Sequence, residues 1–173
     1  MSQKDRLTDE QIKRSIKADD LKDQAEKALD KAKEAFDNLI ETAEEIGEGK
    51  GNASDKKEPA KEVVKEAKKA ENAAKKATEV VKESKEATET ADKIADATGN
   101  PNDREFADGI GDLADRTEID ADDAKDASDK AQEFKKEAIG IGELTPADVD
   151  DAELAADLDE SFDRNWGEIT LPN

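Results

Sequence analysis

The sequence predicts an all-α fold: an elongated antiparallel three-helix bundle or coiled coil with alanine-rich heptad seams, followed by a short C-terminal helix and an extended acidic tail. Three observations carry this. The stretch from Pro59 to Thr98 has an unbroken seven-residue rhythm, similar rhythms flank it, and glycine, asparagine and proline separate the three runs.

The central run is the clearest. Ala60, Val63, Ala67, Ala70, Ala74, Ala77, Val81, Ser84, Thr88, Ala91, Ala95 and Thr98 follow one another in steps of three and four, and none is charged although 18 of the 40 residues in the stretch are. Chance would leave twelve such positions free of charge about once in a thousand tries per register, so the spacing specifies a dry seam along one helix. Seven of the twelve are alanine. The seam therefore lets helices approach closely, and it carries no reactive group.

Before it, Thr8-Asp9-Glu10-Gln11 has the form of a capping box and predicts a helix start. The next seam reads Ala18, Leu21, Ala25, Ala28, Ala32, Ala35, Leu39, Thr42, Ile46, again without charge, and Leu29, Phe36 and Ala43 widen it to the breadth of a helix with two neighbours. Gly47 should end this helix, with Gly49 and Gly51 leading to Pro59 in the first turn of the next. After Gly99-Asn100-Pro101, Asn102 reads as a cap with Glu105 as its partner, and a third seam follows: Phe106, Ile110, Leu113, Thr117, Asp120, Ala124, Ala127, Ala131, Phe134, Ala138, Ile141. It is poorer. Asp120 occupies a core position, and Gly109 and Gly111 each weaken a helix by up to ~1 kcal/mol relative to alanine. The expected helices are thus 9–47, 59–98 and 103–139, the last kinked or broken near 116–121. Similar lengths and short connections make neighbours antiparallel, with 9–47 and 59–98 side by side. A second copy or a partner is expected to complete so narrow a core.

Two domains follow: a helical bundle over 1–142 and an acidic docking segment over 143–173. In the latter, Leu144-Thr145-Pro146-Ala147-Asp148 reads as a cap, a first-turn proline and an early acid, which places a short helix at about 146–160 before the tail. Phe162, Trp166, Ile169 and Leu171 lie outside every seam, in a segment with ten acids and one base. Bulky apolar groups set among acids are what a docking peptide offers, so these four are the candidate partner-binding residues. The rival reading is that Trp166 folds back to plug the bundle.

Composition bounds the function. Leu, Ile, Val and Phe number 28, which together with a net charge of −20 would by itself suit a disordered chain; the helical spacing argues for order. Residues 1–47, 48–99, 100–142 and 143–173 carry net charges of −4, 0, −7 and −9. Such a surface repels phosphate backbones and anionic lipid, so direct binding of nucleic acid or membrane is disfavoured, and a protein partner with a basic surface or a salty environment is the compatible reading. The N-terminus lacks the apolar stretch of a signal peptide, and no apolar run reaches the ~18 residues of a membrane span, so neither secretion nor membrane insertion is expected and the chain is placed in the cytoplasm or in a particle assembled there. Asn52-Ala53-Ser54 is read as a polar loop rather than a glycosylation site.

Chemistry has few candidates. Histidine and cysteine are absent, which removes the usual base of nucleophilic triads, thiol chemistry, disulfides and the Glu-x-x-His ligands of diiron bundles. Gly109-Ile110-Gly111-Asp112-Leu113-Ala114 matches a dinucleotide fingerprint only formally, since no strand pattern precedes it; a local bend accounts for it better, and a similar string recurs at Gly140-Ile141-Gly142-Glu143-Leu144. Asp120 to Asp126 has Lys125 where a calcium loop needs glycine, so it reads as a solvated helix start. No enzyme, cofactor or metal is expected. The reading that remains is a non-enzymatic structural or assembly protein: a spacer, adaptor, scaffold or component of a larger particle such as a virion, docking a partner through its C-terminal segment. Two alternatives stand beside it. One is an acidic inhibitor that mimics nucleic acid and binds a basic protein, for which carboxylates should form a regular array within 103–137. The other is a hydrophilic stress protectant, because residues 58–98 are similar in composition to late-embryogenesis-abundant proteins.

Overall fold

A computed structural model describes residues 2–170, with side chains through Glu160. Four α-helices pack against one another: α1 (Gln3–Gly47), α2 (Lys57–Thr98), α3 (Pro101–Gly142) and α4 (Pro146–Thr170), with a 3-10 turn at Ala53–Lys56 leading into α2. Among the described residues there is no strand.

Each end has a local cause. α1 begins six residues before the expected start, because Ser2 caps it: its Oγ accepts from the Asp5 N–H at 3.1 Å. Thr8 lies inside the helix and its hydroxyl donates back to the Lys4 carbonyl at 2.9 Å. α1 closes in a Schellman motif, Lys50 N–H to Glu45 O at 2.8 Å and Gly49 N–H to Ile46 O at 3.0 Å, with Gly49 at φ 84°. Gly99 at φ 63° closes α2. The cap of α3 is Asn100 rather than Asn102: its Oδ1 accepts from the Asn102 N–H at 2.9 Å. α3 is uninterrupted through 116–121, so the expected break is absent; Thr117 is buried and its hydroxyl bonds to the Leu113 carbonyl at 2.8 Å, while Ala121 and Ala124 are buried beyond it. The two glycine-rich strings and the Asp120–Asp126 run therefore sit in or at the end of a helix rather than in loops.

Backbone contacts divide the chain into two units, residues up to Gln24 with Ala73–Asp126, and Ala25–Asn72 with the residues from Ala127 onward. The first unit contains segments of α1, α2 and α3. Its core is Ala87, Ala91, Ala95, Ala107 and Ile110, with Leu7 and Phe106 packed against it. Here α1 runs antiparallel to α2 and parallel to α3: Gln11 reaches Ser84 and Arg14 pairs with Glu83 at 3.7 Å, while Lys4 bonds to Asp103 at 2.6 Å and Lys22 pairs with Asp123 at 3.4 Å. Gln11, expected as a capping residue, is instead fully buried, its amide donating to the Ser84 and Ile110 carbonyls at 3.1 Å each.

The second unit has a core cluster of its own. Ala35, Leu39, Ala60, Val63, Val64, Ala138, Leu144 and Ala152 are buried together, with Phe36, Phe134, Ile139, Ile141 and Val149 around them. The Phe36 and Phe134 rings meet at 5.2 Å between centroids, tilted by 53°. A fully buried leucine such as Leu39 contributes about 1.5–3 kcal/mol. α3 reaches α2 closely enough at Gly142 that a Cβ there would collide with that of Ala60. The fourth helix, expected as a short C-terminal helix beside the three-helix bundle, packs in this unit through Val149 and Ala152. Its backbone is helical to Thr170 rather than stopping at about 160.

Candidate functional site

The C-terminal segment was expected to dock a partner, and α4 is where its structure begins. Thr145 and Asp148 cap each other: the Asp148 N–H donates to Thr145 Oγ1 at 3.2 Å and the Thr145 N–H to Asp148 Oδ2 at 3.0 Å, with Pro146 between them in the first turn. These bonds, the backbone one first, hold the Asp148 carboxyl below the usual carboxylate range, and Lys57 adds to the effect.

From this cap the inner face of α4 alternates small apolar groups with acids. Ala152 and Ala156 are buried, and Val149 packs on the core cluster. Each acid on that face meets a donor on α2 or α3. Asp148 pairs with Lys57 at 3.4 Å and Lys61 at 3.9 Å, Glu153 with Lys135 at 3.2 Å and Lys68 at 3.7 Å, and Asp159 with Lys65 at 2.7 Å and Lys69 at 3.5 Å. The Asn72 amide donates to Asp157 at 2.8 Å and Glu160 at 3.1 Å. The bond from Lys65 is the main reason the Asp159 carboxyl lies below its ordinary range, and it raises Lys65 in turn. Most of these groups are partly exposed, so each pair contributes little alone, whereas the set fixes the orientation of α4 along α2.

That orientation turns two leucines outward. Leu154 is 57% exposed and Leu158 59%, four residues apart and therefore on one face of the helix, with Asp150 and Asp151 exposed nearby. In sequence Phe162 and Trp166 continue the same four-residue step. The four candidate residues, Phe162, Trp166, Ile169 and Leu171, all lie outside the residues whose side chains are described. The leucine pair was missed by sequence reading, which placed a short helix in the docking segment but assigned its anchors to the residues after it. The lysines at 57, 61, 65 and 68 were a signal for α4's inner face: they form a ladder beside the α2 seam.

A second feature lies in the first unit. Lys85, Glu89, Asp92, Asp108, Asp112, Asp115 and Glu118 surround a groove of about 680 Å³ between α2 and α3, floored by Ala107, Gly111 and Ala114. Among the described residues, no three carboxylates converge as a metal-holding set and no helix is long and apolar enough to cross a membrane. Comparison with known proteins found no matching family model, curated relative or solved structure.

Proposed function

We propose that this chain is a non-enzymatic structural or assembly protein, a helical spacer, adaptor or scaffold, that docks a protein partner through α4 and the residues following it. The observation that carries the reading is the two-sided character of α4. Its acids and alanines are engaged by α2 and α3, while its largest described apolar side chains, Leu154 and Leu158, face outward. Apolar groups four residues apart on a fastened helix are the anchors of helix-in-groove recognition, and Asp150 and Asp151 beside them favour a partner whose apolar groove has a basic rim. Phe162, Trp166, Ile169 and Leu171 extend the docking segment in this reading.

The test is affinity capture from the native source with the wild-type chain and with Leu154→Ser/Leu158→Ser, followed by reconstitution with the purified captured protein. The leucines are exposed, so the variant should melt within about 0.5 kcal/mol of wild type. Binding that is at least tenfold weaker in the variant supports docking through α4. Equal binding by both removes it.

The acid-lined groove between α2 and α3 favours a second reading, an acidic inhibitor of a basic protein. Six carboxylates and one lysine along two helices form the kind of array such a mimic requires. Competition between DNA and this chain for one captured protein would favour it over the scaffold reading.

A further inference from the structure

In the first unit, α1 and α3 lie side by side and parallel, and a groove is open between them. Its lining is Ser15, Ile16 and Asp19 from α1 and Arg116, Ile119 and Asp120 from α3, enclosing about 360 Å³. Ile16 is 58% exposed and Ile119 61%, and Ile12, one turn before Ile16, is 42% exposed. β-branched side chains this exposed on two adjacent helices leave apolar area in water that a third helix would cover.

Charge selects the occupant. Asp19 and Asp120 flank the isoleucines, and Asp23 and Asp123 lie near enough to act on Asp120 electrostatically. On the cationic side stand Arg116, and Lys22, which is paired with Asp123 at 3.4 Å. Burial first, and then Asp19, pushes the Asp120 carboxyl above its ordinary range, with Lys22 opposing the shift. A cation delivered between Asp19 and Asp120 would relieve this repulsion. A second copy of the chain would bring the same carboxylates to the groove, and the C-terminal segment, with ten acids and one base, would add more.

We propose that the α1–α3 groove of the first unit binds a basic amphipathic helix of a protein partner, whose apolar anchors cover Ile12, Ile16 and Ile119 and whose lysines or arginines reach Asp19 and Asp120. Every residue named here belongs to the first unit, and the proposal does not rest on docking through α4. With two docking faces the chain can join two proteins.

The probe is a Leu/Lys amphipathic peptide of about 18 residues, five helical turns, titrated into the full chain carrying isoleucine δ-methyl labels. Shifts at Ile12, Ile16 and Ile119, with Ile40, Ile46 and Ile139 unmoved, are the expected result. A peptide with the same lysines and alanine for leucine should bind at least tenfold more weakly. Ile16→Ser/Ile119→Ser and, separately, Asp19→Asn/Asp120→Asn should each lose at least tenfold in affinity at unchanged helicity. The isoleucines and Asp19 are exposed and Asp120 is only partly buried, so both variants are expected to fold, and the second tests the charge without touching the apolar floor. Equal binding of the alanine peptide, shifts spread over the other isoleucines, or no binding would overturn the proposal. So would Ile16 and Ile119 signals that move with protein concentration in the absence of peptide, because the groove would then belong to a second copy.

Discussion

Glu143 has φ 53°, in the left-handed region, where a Cβ crowds the backbone by roughly 1–2 kcal/mol. It is held there by a Schellman closure of α3, in which the Leu144 N–H reaches the Ile139 carbonyl at 3.1 Å and the Glu143 N–H the Gly140 carbonyl at 3.3 Å; Leu144 then packs in the core cluster beside Ile139. α1 makes the same turn with a glycine, Gly49, at the equivalent place. Glu143→Gly is accordingly expected to stabilise the protein by about 1 kcal/mol, measured by urea denaturation at neutral pH. An unchanged or lower midpoint would mean that Glu143 makes a compensating interaction. Glu66 is a second residue whose state is set by its surroundings: burial pushes its carboxyl above the ordinary range, and Lys69 and Lys31 oppose the shift.

At the scale of elements, the link between α4 and α2 is an acid-dependent fastening. The Asp159 carboxylate is lowered mainly by its bond from Lys65, so the stability it lends is present above the ordinary aspartate pKa of ~3.9 and is lost as pH falls through the lowered value. Asp159→Asn should therefore lower the melting temperature at pH 7, and the difference from wild type should close at pH values below the lowered pKa. A gap that persisted in strong acid would assign the effect to packing instead.

Helices themselves were legible because their seams are written in spacing. Every expected α1 seam position from Ala18 to Leu39 is buried. In α2 the stripe departs from the heptad at Val80 and Ala87, which are buried where Val81 and Thr88 were expected, because α2 faces both α1 and α3 in the first unit. Gln11 was not legible as a core residue, since its two carbonyl partners lie 73 and 99 positions away. Nor was the continuity of α3 legible: Gly109, Gly111 and Asp120 argue locally for a break, and only burial of Ala107, Ile110, Ala114 and Thr117 offsets them. For the candidate site, the capping of α4 could be read directly, whereas its outward leucines become visible only once the lysine ladder on α2 fixes which face turns inward.

For the whole molecule, the net charge of −20 and the ion pairs of α4 respond to salt in opposite directions. Screening relieves the repulsion among excess carboxylates over the ~8–10 Å Debye length near physiological ionic strength, so global melting temperature should rise from low salt to that point. The same screening weakens the Lys65 and Lys135 pairs with Asp159 and Glu153, so amide exchange over 149–160 should become faster relative to the rest of the chain. A melting temperature that falls steadily with salt would show that attraction outweighs repulsion throughout.

The central claim is that the chain's C-terminal segment holds a partner rather than serving only its own core. Retention of the native-source partner by immobilised Trp166→Ala, compared with wild type, tests it most directly. The account predicts that binding is lost while the melting temperature is almost unchanged, since the tryptophan is spent on the partner. Binding retained by a variant destabilised on the order of 3 kcal/mol, the usual cost of truncating a buried aromatic, would contradict it and make Trp166 a plug for the helices.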